Sequence, residues 1–386
     1  MSARALPVGL MALGGFATGC GMRMLDPLLP MIAVGFGTTV SAAAVLVAAF
    51  MLPYGAGQLL TGPLGDRFGK IRVAALALVL YGLVTMGAVV AESLAGVAVI
   101  RALGGLAAGA VIPLLMAHVG DVVPYEGRQA AIGRFLTGNV MATMLAGPIS
   151  GVLGEWFGWR ASFLAGGALA LGVGAVLWWR LVAGRTRPPA SGLSAVAGYL
   201  RMLRAPTGRR LLAVTALNGA LLFGGSFPFI ASYLIEDFGL SAGEAGLVMA
   251  GFGVGALAYT RLAPRLLRRL GEAGMLRAGG LGLALLLGAI AAAPHWGVVL
   301  AAQLCMGMAF FCFHGVLQAR ATEALPEARG TAVSAFAMAL FLGQTVGSLV
   351  FASVIGLGGY RWVFALASAG IAALGLAAAR RRQPGA

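Results

Sequence analysis

Twelve runs, each near the ~20 apolar residues that an α-helix needs to cross a bilayer, follow one another along this chain and are separated by charged or Gly/Pro-marked breaks. They begin near Leu6, Ser41, Ile71, Leu94, Ala131 and Ala161, and again near Leu211, Ser241, Met275, Trp296, Thr331 and Trp362. In lipid every backbone N–H and C=O must find a partner inside the protein, which makes such runs helices. Only 10% of the residues are charged and 60% are hydrophobic, against about 25% charged in a soluble domain. The lipid bilayer is therefore the expected surroundings, and the expected fold class is an all-α membrane protein with twelve transmembrane helices. The first run continues through Asp26 to about Val34 with no small-residue cleavage site. It is too long for a signal peptide and is expected to be a retained span.

The formal net charge of +15 is distributed unevenly. Of 27 basic residues, only Arg23, Arg101, Arg160 and Arg361 fall outside one alternate set of breaks and the helix ends beside them. The other set carries acids: Glu92, Glu155, Glu236, Asp237 and Glu244. Lys and Arg are retained on the cytoplasmic side, so both termini and the polar stretch 184–210 are expected there. Basic residues placed at helix ends serve topology, and no nucleic-acid partner is expected.

The stretch 184–210 divides the chain near its midpoint, and the two sides repeat each other. Asp66-Arg67-Phe68-Gly69 returns as Arg268-Arg269-Leu270-Gly271, and Phe36-Gly37 as Phe238-Gly239, both 202 residues later. Gly158-Trp159-Arg160 returns as Gly359-Tyr360-Arg361, and Arg128 as Arg329, both 201 residues later. An offset kept over most of the chain predicts two parallel six-helix units, an N-terminal bundle 1–183 and a C-terminal bundle 211–386 joined by a cytoplasmic linker loop 184–210.

Between the second and third runs, Gly62, Leu64, Asp66, Arg67, Gly69 and Lys70 occupy the positions of the pattern G-x-L-a-D-R-x-G-R/K. This resembles the signature loop of the major facilitator superfamily, and the resemblance covers nearly the whole chain. Ile100-Arg101 with Gly104 and Gly109 resembles the superfamily's fourth-helix motif R-x-x-Q-G-x-G, with Gly104 where Gln is expected. Gly138 followed by Gly147, Pro148 and Gly151 resembles its antiporter motif G-x8-G-P-x-x-G-G, with Val152 in place of the second glycine of the pair. The resemblance implies the major facilitator fold, two pseudo-symmetric six-helix bundles with the substrate site between them. It is nearest to the drug:proton antiporters and the predicted sugar-efflux permeases, and it implies the inner membrane of a bacterium. In such a fold the loop with Asp66, grouped here with Arg128, would act as a conformational latch, because a carboxylate is stabilised at a helix N-terminus such as that near Thr331. The bland alternative is a basic topology signal.

Asp26 is the one carboxylate placed well inside a run, and Arg23 precedes it by three residues, on one face of a helix. Charges within a membrane are costly and mark function or pairing. Asp26, Arg101, Arg23 and His314 are the proton-coupling candidates, with Asp26 and Arg101 expected to meet across the cavity; the alternative is a permanent ion pair that fixes the bundle. Helices one, four, seven and ten line the cavity in the implied fold. Asn218, Phe223, Phe227, Gln303, Met306, Phe310 and Gln344 are the cavity candidates, with Gln303, Gly307, Phe310 and His314 on one helical stripe. An apolar or amphipathic substrate suits this lining. Packing is the alternative for each.

The three cysteines, Cys20, Cys305 and Cys312, match no metal, haem or disulfide spacing, and no G-x-x-x-x-G-K-S/T loop is present to hold ATP. No metal, cofactor or enzymatic activity is expected. The reading is a secondary transporter exchanging a small molecule for protons, with a monomer favoured and the oligomeric state not fixed by the sequence. An importer or uniporter of a small metabolite, and a non-transporting receptor or scaffold on the same fold, remain the alternatives.

Overall fold

The computed structural model describes residues 7–183, 195–325 and 329–379. Eleven helices there are long and apolar enough to cross a membrane. Val8–Gly35, Val40–Leu59, Lys70–Val90, Leu94–Val122, Ala130–Phe157 and Trp159–Val182 are spans 1 to 6. Pro206–Phe238 is span 7, and Trp296–Ala324, Gly330–Gly358 and Tyr360–Ala379 are spans 10 to 12. The helix between them, Ala242–Ala291, has 50 residues. Straight, it would be about 75 Å long, more than twice the ~30 Å hydrocarbon core. Gly271, at φ 62° and ψ 175°, breaks it. Residues 242–270 and 272–291 are thus spans 8 and 9, and the fold is the all-α, twelve-helix one that the sequence predicts.

Most spans begin within two residues of the expected positions. The helix of span 5 starts earlier, at Tyr125, and span 9 begins at 272 rather than 275. That of span 7 starts at Pro206 rather than near Leu211, because proline suits the first position of a helix and Arg209 and Arg210 extend beyond the apolar run. A further short helix, Ala195–Arg204, packs against spans 7 and 11. The described part of 184–210 is therefore largely helical.

Among the described residues, positive φ occurs only at Gly37, Gly69, Gly158, Gly239, Gly271 and Gly359. These are three pairs, at the repeat offsets of 202, 202 and 201 residues. Only glycine adopts this conformation without strain, and each pair has positive φ in both halves. Packing repeats as well. Gly105 lies against the carbonyl of Phe50 and Gly307 against that of Phe252, again 202 residues apart at both ends. Small residues let backbones approach where no hydrophobic effect drives helices together.

The turns at Gly69 and Gly271 lie on the side that holds most of the basic residues, called here the basic side; the other four lie on the far side. Contacts between the halves run from mid-membrane to the far side. Span 5 packs on span 8, with Gly147 on Gly246 and Gly151 on the carbonyl of Ala242. Span 2 packs on span 11, with Tyr54 and Phe341 at ring centroids 4.6 Å apart and the Ser41 hydroxyl donating to the Ala352 carbonyl at 2.6 Å. The far segment of span 1 packs on spans 7 and 8.

Candidate functional site between the halves

Span 1 is not one helix. It runs as α-helix from Val8 to Arg23, makes a 3-10 turn at Asp26–Leu28 and resumes at Leu29–Gly35. Pro27 and Pro30 have no N–H to give the carbonyls of Arg23 and Asp26, which interrupts the hydrogen-bond ladder there. Both charged residues sit at the interruption. Arg23 Nη1 donates to Asp26 Oδ2 at 3.5 Å, and the two residues are only 8% and 4% exposed. The pair also joins the halves, since the Arg23 guanidinium lies 4.7 Å from the ring centroid of Phe223 and 5.0 Å from that of Phe227, both on span 7. A cation over an aromatic face is attracted by the ring quadrupole, more so away from water.

From Phe223 the contacts continue through the second half. Phe223 and Phe310 are 4.7 Å apart at their centroids. Phe310 stacks on His314 at 4.7 Å and 16°. His314 Nδ1 is 3.4 Å from Asn218 Nδ2. Three coupling candidates, Asp26, Arg23 and His314, and four cavity candidates, Asn218, Phe223, Phe227 and Phe310, thus form one connected series across the interface. Asn218 Oδ1, Gln303 Oε1 and Gln344 Oε1 are buried and make no hydrogen bond to the described residues. Gln303 meets Met249 through its amide nitrogen, 3.2 Å from Sδ, and Met306 is fully buried.

Arg101 is bonded to the backbone of its own half. Its Nη1 donates to the Gly21 carbonyl at 2.8 Å and its Nε to the Leu46 carbonyl at 3.1 Å, with the guanidinium 4.3 Å from the Phe50 centroid. It braces spans 1, 2 and 4 within the first half. Neither an ion pair nor a hydrogen bond to Asp26 is among its described contacts. Two backbone carbonyls and a ring engage this buried guanidinium, and a direct bond to the Asp26 carboxylate is not needed to hold it in place. Nη2 makes no hydrogen bond to the described residues. The adjoining cavity of about 10 Å³ is of the order of one water.

Of the expected latch, the side chains of Gly62, Asp66 and Arg128 lie outside the described residues. Gly69 makes the turn after span 2 at φ 92°, Leu64 is partly exposed, and Arg67 lies over Phe68. Lys70 Nζ pairs with Asp121 Oδ2 of the same half at 2.6 Å. The glycine motif splits by partner: Gly138 packs on the Ala12 carbonyl within the first half, whereas Gly147 and Gly151 face span 8 across the interface, with Pro148 inside the helix. Phe252, whose ring contacts Phe223, Phe227 and Phe310, was not among the candidates. It stands 202 residues after Phe50, the ring under Arg101, and Phe50 was not a candidate either.

The sequence profile of the Major Facilitator Superfamily matches residues 11–289 and 211–386. A probable transporter of Streptomyces coelicolor is 31% identical over 376 residues, 93% of this chain and 84% of that protein. A chloramphenicol resistance protein of Streptomyces lividans is 30% identical over 265 residues, 68% of this chain and 66% of that one. Among solved structures, a bacterial homologue of the human lysosomal transporter Spinster shares the fold at a TM-score of 0.76 and 17% identity, over 98% of each chain. This chain belongs to the Major Facilitator Superfamily: it is a multi-pass membrane transporter, not an enzyme.

Proposed function

We propose that this secondary transporter exports a small organic or amphipathic molecule in exchange for protons, with the basic side in the cytoplasm of a bacterium. The observation that carries this reading is the buried Arg23–Asp26 pair, seated at the break in span 1 and pressed against Phe223 and Phe227 of the other half. A carboxylate so far from water must be paired or neutral. Exchange between those two forms is a switch: the paired form keeps Arg23 at the interface, and protonation of Asp26 frees it. Coupling follows if the two forms favour different arrangements of the halves.

The units 1–183 and 211–386 then rock about a site near the membrane midplane. Its polar contacts come from Asn218, Gln303 and Gln344, with Met306 and the phenylalanines as apolar wall. The halves are joined on the far side in the present arrangement, so release of the molecule on that side requires them to part there. The name of the Streptomyces lividans relative, and the glycine-proline segment of span 5 in its resemblance to an antiporter motif, support export. The turn at Gly69, with Asp66, is assigned the closing of the basic side in the opposite state, and the protein is taken to work as a monomer.

The test has two stages. A thermal-shift screen of the purified protein against drug and metabolite panels identifies a ligand, because binding only the folded state raises its stability. Collapse of the proton gradient in cells expressing the protein is then expected to raise retention of that ligand. A fall in accumulation instead identifies an importer.

A further inference from the structure

Span 8 begins with a capping box. Ser241 Oγ accepts from the Glu244 N–H at 3.2 Å, and Glu244 Oε2 accepts from the Ser241 N–H at 2.9 Å. A helix N-terminus leaves several N–H groups without a partner in the helix, and the capping box takes two. The Gly243 N–H between them goes to the other half of the molecule: it donates to Glu155 Oε1, at the end of span 5, at 2.6 Å. A Cβ on residue 243 would stand 3.0 Å from Val152 Cγ2 and 3.4 and 3.5 Å from the two Glu155 carboxylate oxygens. The tight contact is with Val152, and the carboxylate oxygens stand at ordinary contact distance from that position.

Pseudo-symmetry supplies a comparison inside the same molecule. Ser41 stands 202 residues before Gly243, and Gly356 stands 201 after Glu155. These counterparts also meet: a Cβ on Gly356 would be 3.8 Å from Ser41 Oγ, and that hydroxyl donates to the Ala352 carbonyl. The span 2–span 11 interface therefore has a hydroxyl and a glycine where the span 5–span 8 interface has a helix amide and a carboxylate. The carboxylate occurs once. The same asymmetry appears on the basic side, where Asp66 has Arg268 as its counterpart. In each case the first half carries the acid.

We propose that Glu155 is the residue that holds the far side closed, by docking its carboxylate across the interface on the N-terminus of span 8. The inference rests on the alternating-access reading above. It adds a position that none of the sequence motifs contains. Each passage to the far-side-open state must separate Glu155 from Gly243, so the contact sets how the two states are populated. Glu155 is exposed, and its replacement leaves the core intact.

The test is a distance measurement on the full-length protein, with Cys20, Cys305 and Cys312 replaced. Spin labels at Val34 and Leu357, 82% and 91% exposed at the far ends of spans 1 and 11, report the far side. Labels at Val122 and Leu267, 52% and 47% exposed, report the basic side. Glu155→Gln keeps the shape and removes the charge, and it is expected to raise the ratio of long to short far-side distances roughly two- to fivefold. Gly243→Ala crowds Val152 Cγ2 of span 5, loosens the approach of the two helix ends, and is expected to act in the same direction with Glu155 still present. Two populated distances whose ratio neither variant changes would overturn the latch while leaving alternating access in place. One fixed distance on both sides in every variant would overturn alternating access, and the latch with it.

Discussion

The guanidinium of Arg23 on span 1 lies 4.7 Å from the ring centroid of Phe223 on span 7. One cation therefore serves two partners at once, the Asp26 carboxylate of its own half and an aromatic face of the other. Any change in the ionic partner is felt at the interface. Buried cation–π contacts are worth about 0.5–2 kcal/mol. A double-mutant cycle of Arg23→Gln and Phe223→Leu, read by melting of the purified protein, is expected to return a coupling in that range. Strict additivity would remove this contact from the account.

Arg101 is assigned a bracing role by its bonds to the Gly21 and Leu46 carbonyls. Hydrogen bonds to charged groups contribute about 1.5–3 kcal/mol each. Arg101→Met is expected to lower the melting temperature clearly, whatever it does to transport. Unchanged melting together with lost pH-driven transport would move Arg101 into the coupling machinery.

The glycine motif of span 5 makes two different predictions along one helix. A methyl at Gly138 collides with the Ala12 carbonyl of its own half, and one at Gly151 with the Ala242 carbonyl of the other. Gly138→Ala is expected to cost about 1–3 kcal/mol of stability through overpacking. Gly151→Ala is expected to keep most of the stability and to open the far side, speeding the labelling of a cysteine introduced as Ser41→Cys. Equal effects of the two variants on melting and labelling would count against a moving interface there.

The basic side is predicted to be cytoplasmic. Alkaline-phosphatase fusions should be inactive after Arg187 and active after Asp237, because basic residues are held on the cytoplasmic side during insertion. The reverse pattern would invert the direction of transport proposed here.

Much of the fold was legible because lipid enforces it. Spans follow from apolar length, and the repeat offsets placed Gly37, Gly69 and Gly158 opposite Gly239, Gly271 and Gly359, the six described residues that turn at positive φ. The start of span 7 was not legible from apolarity, since Pro206 opens the helix inside a polar stretch. At the site, the pairing of Arg23 with Asp26 followed from a three-residue spacing. The partners of Arg101 did not, because they are backbone carbonyls and carry no residue signature. Glu155 read as one more acid in a far-side turn. Its contact with Gly243 depends on how two helix ends from different halves meet, which no local pattern encodes.

The central claim is that Asp26 carries the proton that drives export. Its most direct test is transport by Asp26→Asn in reconstituted vesicles with an imposed pH gradient, using a ligand identified by thermal shift. The account predicts that the native protein moves the ligand uphill against the proton flow. The variant, an analogue of the permanently protonated acid, should lose that uphill movement and keep downhill exchange. If Asp26 were only the structural partner of Arg23, the variant would instead be destabilised by about 3–5 kcal/mol, the cost of leaving a buried charge unpaired. Uphill, pH-driven transport by Asp26→Asn at the native rate would contradict the account.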